Sequence, residues 1–231
     1  MTRRRWIADE NIGDRAALTG ANAAHLARVI RARVGQEFDI SVGVQVRRGT
    51  ISAVSEDRVE FALGEEVAAP AVVPVTLYLA VFKFDRFEWA VEKCTELNVA
   101  RIVPFVARRT ETHLASAASK RVERWRRIAL EAAQQSRRVS SPVIEDAVPL
   151  KKLLSNVAGL RIVLAETEKQ TMLSNVIEDA AIALAIGPEG GWTEEELAAF
   201  DAAGWKRASL GDTILRAETA AIAAVSLVIL S

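Results

Sequence analysis

From residue 74 onward the chain alternates short, mostly apolar runs with longer segments of helical period, and this alternation constrains the fold more than any other feature. VTLYLAVF, RIVPFV, RIVLAE, AIALAI and KRASLG read as strands. RFEWAVEKCTELNV, ending at Asn98, and SKRVERWRRIALEAAQQSRR read as helices between them. A strand without a polar side has both faces covered, so the pattern predicts an α/β domain with a mostly parallel sheet and helices on both faces. The earlier part differs. EFDISV, VQVRRGTISAV and RVEFAL alternate in the two-residue period and are separated by glycines and charged turns, the pattern of a small β-barrel or sandwich. ANAAHLARVIRARVG precedes them as a helix, with Ala24, Val29 and Ile30 on one face and arginines on the other. AAPAVVP, residues 68–74, reads as a linker, which divides the chain into 1–69 and 70–231.

Half of the 231 residues are apolar, enough for one large core or two modest ones. The single cysteine, Cys94, excludes an internal disulfide framework and a cysteine-built zinc site. It lies in an amphipathic segment and reads as core. His25 and His113 lack metal-ligand spacing, so no metal is expected. The N-terminus has no signal-peptide core, and AAIAAVSLVILS at the other end is too short to span a bilayer; it reads as a buried helix of a cytoplasmic protein. Net charge is zero, but residues 1–140 balance at +6 and residues 141–231 at −6. The positive side is mostly arginine in clusters, among them Arg3 to Arg5, Arg28, Arg31 and Arg33, Arg108 and Arg109, and Arg137 and Arg138. Clustered arginine suits RNA, through forked phosphate contacts and stacking on bases; a solvated surface of mixed charge has the same composition.

Three strand ends carry unusual residues: Leu164-Ala165-Glu166, Ile186-Gly187-Pro188-Glu189-Gly190-Gly191, and Leu210-Gly211-Asp212. Ligands on parallel sheets bind beyond such ends. Gly190 and Gly191 permit positive φ and close backbone approach. Thr193 with Glu196 forms a capping box that starts the next helix. No Lys-Ser/Thr pair follows the glycines and no G-x-G-x-x-G is present, so phosphate and dinucleotide loops are both ruled out by pattern. Glu194, Glu195 and Glu196 repel an anion. The ligand on this side is expected to be uncharged or cationic, unless the turn is purely structural.

IGPEGGWTEEE followed by SLGDTILRAETAAIAA resembles the RsmE family of ribosomal RNA methyltransferases, in the SPOUT superfamily of knotted proteins. RFEWAVEKCTELNV, EAAQQSRR and HLARVIRARVGQ resemble further segments of that family, so the resemblance covers nearly the whole chain. It implies a small PUA-like β-barrel RNA-binding domain over 1–69 and a methyltransferase domain over 70–231 whose C-terminal portion is threaded into a deep trefoil knot. It also implies a homodimer that binds S-adenosylmethionine and methylates N3 of one uridine in small-subunit (16S) ribosomal RNA. A sulfonium cation accounts for a glycine-rich turn with glutamates and no lysine.

Carried onto this chain, the resemblance places the cofactor against Leu164, Ala165 and Glu166; against Ile186, Gly187, Pro188, Glu189, Gly190 and Gly191; and against Leu210, Gly211, Ile214, Leu215, Arg216, Thr219 and Ala220. Uridine N3 must lose a proton as it attacks, so a base or an anion stabiliser is expected. Glu218 or Glu189 is the candidate base or orienter, and Arg216 or Arg138 the candidate stabiliser. Arg4, Arg5, Arg28, Arg31, Arg109 and Arg138 are the candidate RNA contacts, and Trp6, beside Arg5, a candidate for stacking on a base. Trp89, Trp125 and Trp205 are expected in the core or at a dimer contact. The chain departs from the family at Thr213, where an arginine is usual, and at Arg137, where glycine is usual. Besides the enzyme, two readings fit: a non-catalytic ribosome-assembly factor of the same fold, and a knotted methyltransferase acting on another RNA.

Overall fold

A computed structural model describes residues 5–69, 73–154, 158–178 and 180–230. Arg4, the centre of the expected linker (70–72) and the terminal Ser231 lie outside the described residues. The chain divides into two compact units, Met1–Ala71 with Ala133–Ser141, and Val72–Ala132 with Pro142–Ser231. The stretch 133–141, which the helical period places with the second part of the chain, thus groups with the first unit.

The first unit contains β1 (Arg5–Ile7), β2 (Glu10–Ile12), β3 (Arg15–Thr19), α1 (Gly20–Ala24), β4 (Glu37–Val42), β5 (Gln45–Val54) and β6 (Arg58–Glu66). They form one six-stranded sheet in the order β1-β4-β5-β6-β3-β2, antiparallel except for β1 against β4. The two-residue period seen in the sequence sets its inner face: Phe38 and Ile40, Ile51, and Val59, Phe61 and Leu63 share a core with Trp6, Leu18 and Leu26. At Gly49 the register of β5 shifts, and a side chain there would occupy the space of Ile40. The helix expected over 21–35 is shorter. α1 passes into a π-helical turn over His25–Val29, and Arg31 at φ 55 ends it. Ala23 and Leu26 make its buried side; Val29, expected there, is 68% exposed. Trp6 is buried in this core and is not free to stack on a base. Arg137, where the family pattern has glycine, sits at φ 59, a left-handed position that glycine occupies without strain.

The second unit contains β7 (Val73–Ala80), α2 (Phe84–Glu96), β8 (Val99–Val106), α3 (Thr112–Ala117), α4 (Val122–Gln135, whose residues from Ala133 on group with the first unit), β9 (Val143–Ile144), β10 (Val148–Pro149), α5 (Leu150–Leu153), β11 (Leu160–Leu164), β12 (Ile182–Ile186), α6 (Glu194–Ala202), β13 (Lys206–Ala208) and α7 (Ala217–Leu230). Its sheet runs β10-β8-β7-β12-β11-β13, with β9 also on β8, and every pairing is parallel. The apolar strands have two apolar faces because two cores need them. Leu77 and Leu79, Ile162 and Leu164, and Ile182, Leu184 and Ile186 face the core that α2, α4 and α7 cover. Their neighbours Ala80, Val163, Ala183 and Ala185 face a second core with Trp192, Leu197, Phe200 and Trp205. Trp125 and Trp205 are core residues as expected, whereas Trp89 is 48% exposed. α2 stops before Asn98, whose φ of 69 is the left-handed C-cap conformation that asparagine tolerates. Cys94 is buried, and burial pushes its thiol up to about 12.

Candidate active site

Because β12, β11 and β13 are adjacent and parallel, their C-terminal ends open on the same edge of the sheet. The three unusual strand ends therefore meet. They surround a cavity of about 340 Å³, within the range of small-molecule sites. Leu164, Ala165 and Glu166 contribute the first wall; Ile186, Gly187, Pro188, Glu189 and Gly191 the second; Leu210, Gly211, Ile214, Leu215, Arg216 and Ala220 the third. Of the residues expected at a cofactor, Gly190 and Thr219 do not line the cavity.

The glycine-rich turn is held at both ends. At its end, Thr193 Oγ1 accepts from the Glu196 amide at 3.2 Å and Glu196 Oε2 accepts from the Thr193 amide at 2.9 Å, so the capping box is complete. The other oxygen of Glu196 accepts from the Arg108 amide at 2.7 Å. At its start, Gly187 lies against the Trp192 ring, where a Cβ would come within 2.9 Å, and the Trp192 indole N–H donates to the Leu164 carbonyl at 2.7 Å. Trp192 therefore ties the second wall to the first, a role no local pattern announced. Within the turn, the two glycines differ. Gly191 uses positive φ, at 70°, and a Cβ there would stand 2.6 Å from Glu166 Oε1. Gly190 lies outside the left-handed region; its carbonyl accepts from Arg109 at 2.9 Å. Arg109, expected on RNA, thus braces this turn. Past the first wall, the Gln170 and Thr171 amides donate to Glu168 and hold its carboxyl below the usual range.

Charge in the cavity is mixed. Arg216 is exposed at the mouth, and Glu166 and Glu189 bring acid to the first two walls. Arg86, from the first turn of α2, also lines the cavity; its Nη1 is 2.6 Å from Glu189 Oε1 and its Nε 3.7 Å from Glu218 Oε1. Glu218, expected as base or orienter, is 2% exposed and stands behind the cavity wall rather than lining it. Arg138 is corrected: it is 4% exposed, belongs to the first unit, is no part of this cavity, and burial lowers its guanidinium to about 10. Arg5 is also buried, donating to the Arg137 carbonyl, so neither it nor Arg138 presents a free fork to a phosphate. Arg28 and Arg31 are exposed; Arg28 pairs with exposed Glu56 at 2.7 Å, a pair that water and salt weaken easily. Thr213 and Ala217, within the third segment, complete that wall, and Arg86, Trp192 and Ser209 line the cavity from outside the three segments expected from sequence.

A parallel α/β unit with a small-molecule cavity at its carboxyl edge, walled by glycine-bearing turns and by side chains of both charges, defines a small-molecule binder. The comparisons make that class specific. The model for the RNA methyltransferase domain matches residues 69–229. Ribosomal RNA small subunit methyltransferase E of Synechocystis is 33% identical over 219 residues, covering 90% of this chain and 71% of its own length. The Bacillus subtilis protein of the same name is 31% identical over 224 residues, covering 91% and 88%. The crystal structure of the Neisseria gonorrhoeae enzyme bound to S-adenosyl methionine superposes with a TM-score of 0.86 at 26% identity, covering 96% of this chain and 95% of that one. The chain belongs to the ribosomal RNA small subunit methyltransferase E family, as its GPEGG and LR-x-ET segments suggested.

Proposed function

We propose that this protein transfers a methyl group from S-adenosylmethionine to N3 of a uridine in small-subunit ribosomal RNA. The observation that carries the proposal is the meeting of three glycine-bearing strand ends around one cavity, in a chain that aligns over nearly its full length with a relative whose structure holds that cofactor. The residues fit the donor. Gly191 leaves room beside Glu166 that a Cβ would fill, and Glu166 brings a carboxylate to the cavity wall that a cationic donor would meet. When bound, the cofactor supplies an electrophilic methyl carbon. The chain's part is to hold it at the carboxyl edge and to favour the deprotonated uracil. Arg216, exposed on the cavity wall, is the cation for the charge that develops on the uracil oxygens as N3 gives up its proton. Arg28 and Arg31 of the first unit are the phosphate contacts.

The same reading assigns RNA recognition to a PUA-like domain over 1–69 and methyl transfer to 70–231, with the C-terminal segment drawn into a trefoil knot. In support, the chain reaches β13 at one edge of the sheet and then returns to pack α7 against α2, β7 and β12. Trp89 on α2 and Leu227 on the adjoining α7, 48% and 41% exposed, are the apolar contacts of a homodimer. Among the described residues no helix is long and apolar enough to cross a membrane, in keeping with a cytoplasmic site of action on ribosomal RNA. Calorimetry with S-adenosylmethionine, followed by mapping of methylated uridines after incubation with small-subunit RNA, tests the reading. Binding without transfer would point to the assembly factor, and methylation of another RNA to a different target.

A further inference from the structure

We infer that Arg86 is a positioning residue for methyl transfer, shared between Glu189 and Glu218 so that the glycine-rich turn is fixed against α7; the inference rests on the functional reading above. Arg86 stands in the first turn of α2, where the helix dipole disfavours a cation, so local structure does not explain it. Its charge is answered from two distant segments. Glu189, in the turn itself, lies 2.6 Å from Nη1, and Glu218, in the first turn of α7, lies 3.7 Å from Nε. An ordinary surface ion pair would be mostly wet, but here the side chains are 29%, 26% and 3% exposed. Glu218 is the critical member. A buried carboxylate needs a cation at hand, and the second oxygen of Glu218 is buried with no hydrogen-bond partner among the described residues. Arg86 is the cation it has, and Arg86 in turn lines the cavity. Glu218 therefore acts on the site through Arg86, which joins α2, the turn and α7 at one point. A fork spanning two carboxylates is a task that lysine, a point charge, does not perform.

The experiment uses full-length protein with Arg86→Met, Arg86→Lys, Glu189→Gln and the Arg86→Met/Glu189→Gln double variant. S-adenosylmethionine affinity is measured by calorimetry, and KM and kcat by methyl transfer to small-subunit RNA. Arg86→Met is expected to weaken cofactor binding about tenfold, Glu189→Gln several-fold, and the double variant no more than Arg86→Met alone, because both changes break one linkage. KM for the cofactor should rise while kcat at saturation changes less than about threefold. Arg86→Lys keeps a charge beside Glu218 and folds if Arg86→Met does not. It is expected to lose affinity as Glu189→Gln does. Unchanged affinity, additive losses, or a fall in kcat with KM unaltered would each overturn the assignment, the last by making Arg86 a catalytic residue on the substrate. If the parent itself fails to bind S-adenosylmethionine, the functional reading falls. The linkage is then read from thermal midpoints, with Arg86→Met/Glu218→Gln added to the set: removing the Glu218 charge should restore most of the stability that Arg86→Met removes, and no restoration would refute it.

Discussion

Replacing Gly191 with alanine isolates what the turn requires of its backbone. Gly191 has φ 70, and a Cβ there would stand 2.6 Å from Glu166 Oε1. Holding an L-residue in the left-handed region costs about 1–2 kcal/mol, and removing glycine from the unfolded chain returns about 0.5–1 kcal/mol. The net loss of stability is therefore about 1 kcal/mol, a fall of roughly 2–4 °C in thermal midpoint for a chain of this length. The larger effect is on the ligand. Glu166 ends a flexible side chain and can swing aside, but in doing so it leaves the place where it faces the cavity, so cofactor affinity should fall about tenfold, the effect of a lost charge-assisted contact. Gly190→Ala is the internal control. Gly190 lies outside the left-handed region, and its Cβ would meet the Arg109 Cβ at 3.2 Å, a tight contact but not an overlap. It should cost less stability and less affinity than the same change one residue later. Differential scanning calorimetry and titration of S-adenosylmethionine on the three proteins decide the matter. If Gly191→Ala keeps both the midpoint and the affinity of the parent, or if Gly190→Ala is the more damaging change, the turn does not work as described.

Replacing Arg28 and Arg31 together by alanine should weaken RNA binding, leave S-adenosylmethionine affinity unchanged, and reduce the log–log salt slope by about 1.5, the release expected for two phosphate contacts; affinities at several salt concentrations check this. Arg137→Gly should raise stability by about 1 kcal/mol, since relief of the left-handed strain at φ 59 exceeds the added freedom of the unfolded chain. It also removes a like charge near buried Arg5, whose guanidinium is lowered by burial first and by Arg137 as a lesser cause, and thermal unfolding reads the sum. Cys94 should resist thiol reagents at neutral pH until the protein unfolds. With the folded thiol raised from 9.0 to about 12, the unfolded chain loses its proton first, so the stability that buried Cys94 contributes is complete below pH 9 and declines between about 9 and 12. A Cys94→Ala variant should lack that part of the decline.

The period of the apolar residues determined a great deal. Wholly apolar strands after residue 74 require a sheet covered on both faces, and the two cores around Leu77, Leu184 and Ile162 on one side and Ala183, Val163 and Trp205 on the other fulfil that requirement. The three strand-end motifs and the Thr193–Glu196 cap were equally legible, because a turn's glycines and a helix's cap are chosen by interactions within a few residues of chain. Long-range charge was not. Arg5 and Arg138 carry the same side chain as Arg28 and Arg31, yet the first pair is buried and the second exposed, and nothing local distinguishes them. Arg86 and Glu189, 103 residues apart, meet only because α2 and β12 are brought to the same edge of the sheet. Which glycine takes positive φ, and which carboxylate faces the cavity rather than lying behind it, follow from that same packing. A sequence determines elements through forces that act along a few residues of backbone. The partners of a charge are fixed by desolvation and distance, and those exist only once the elements have come together.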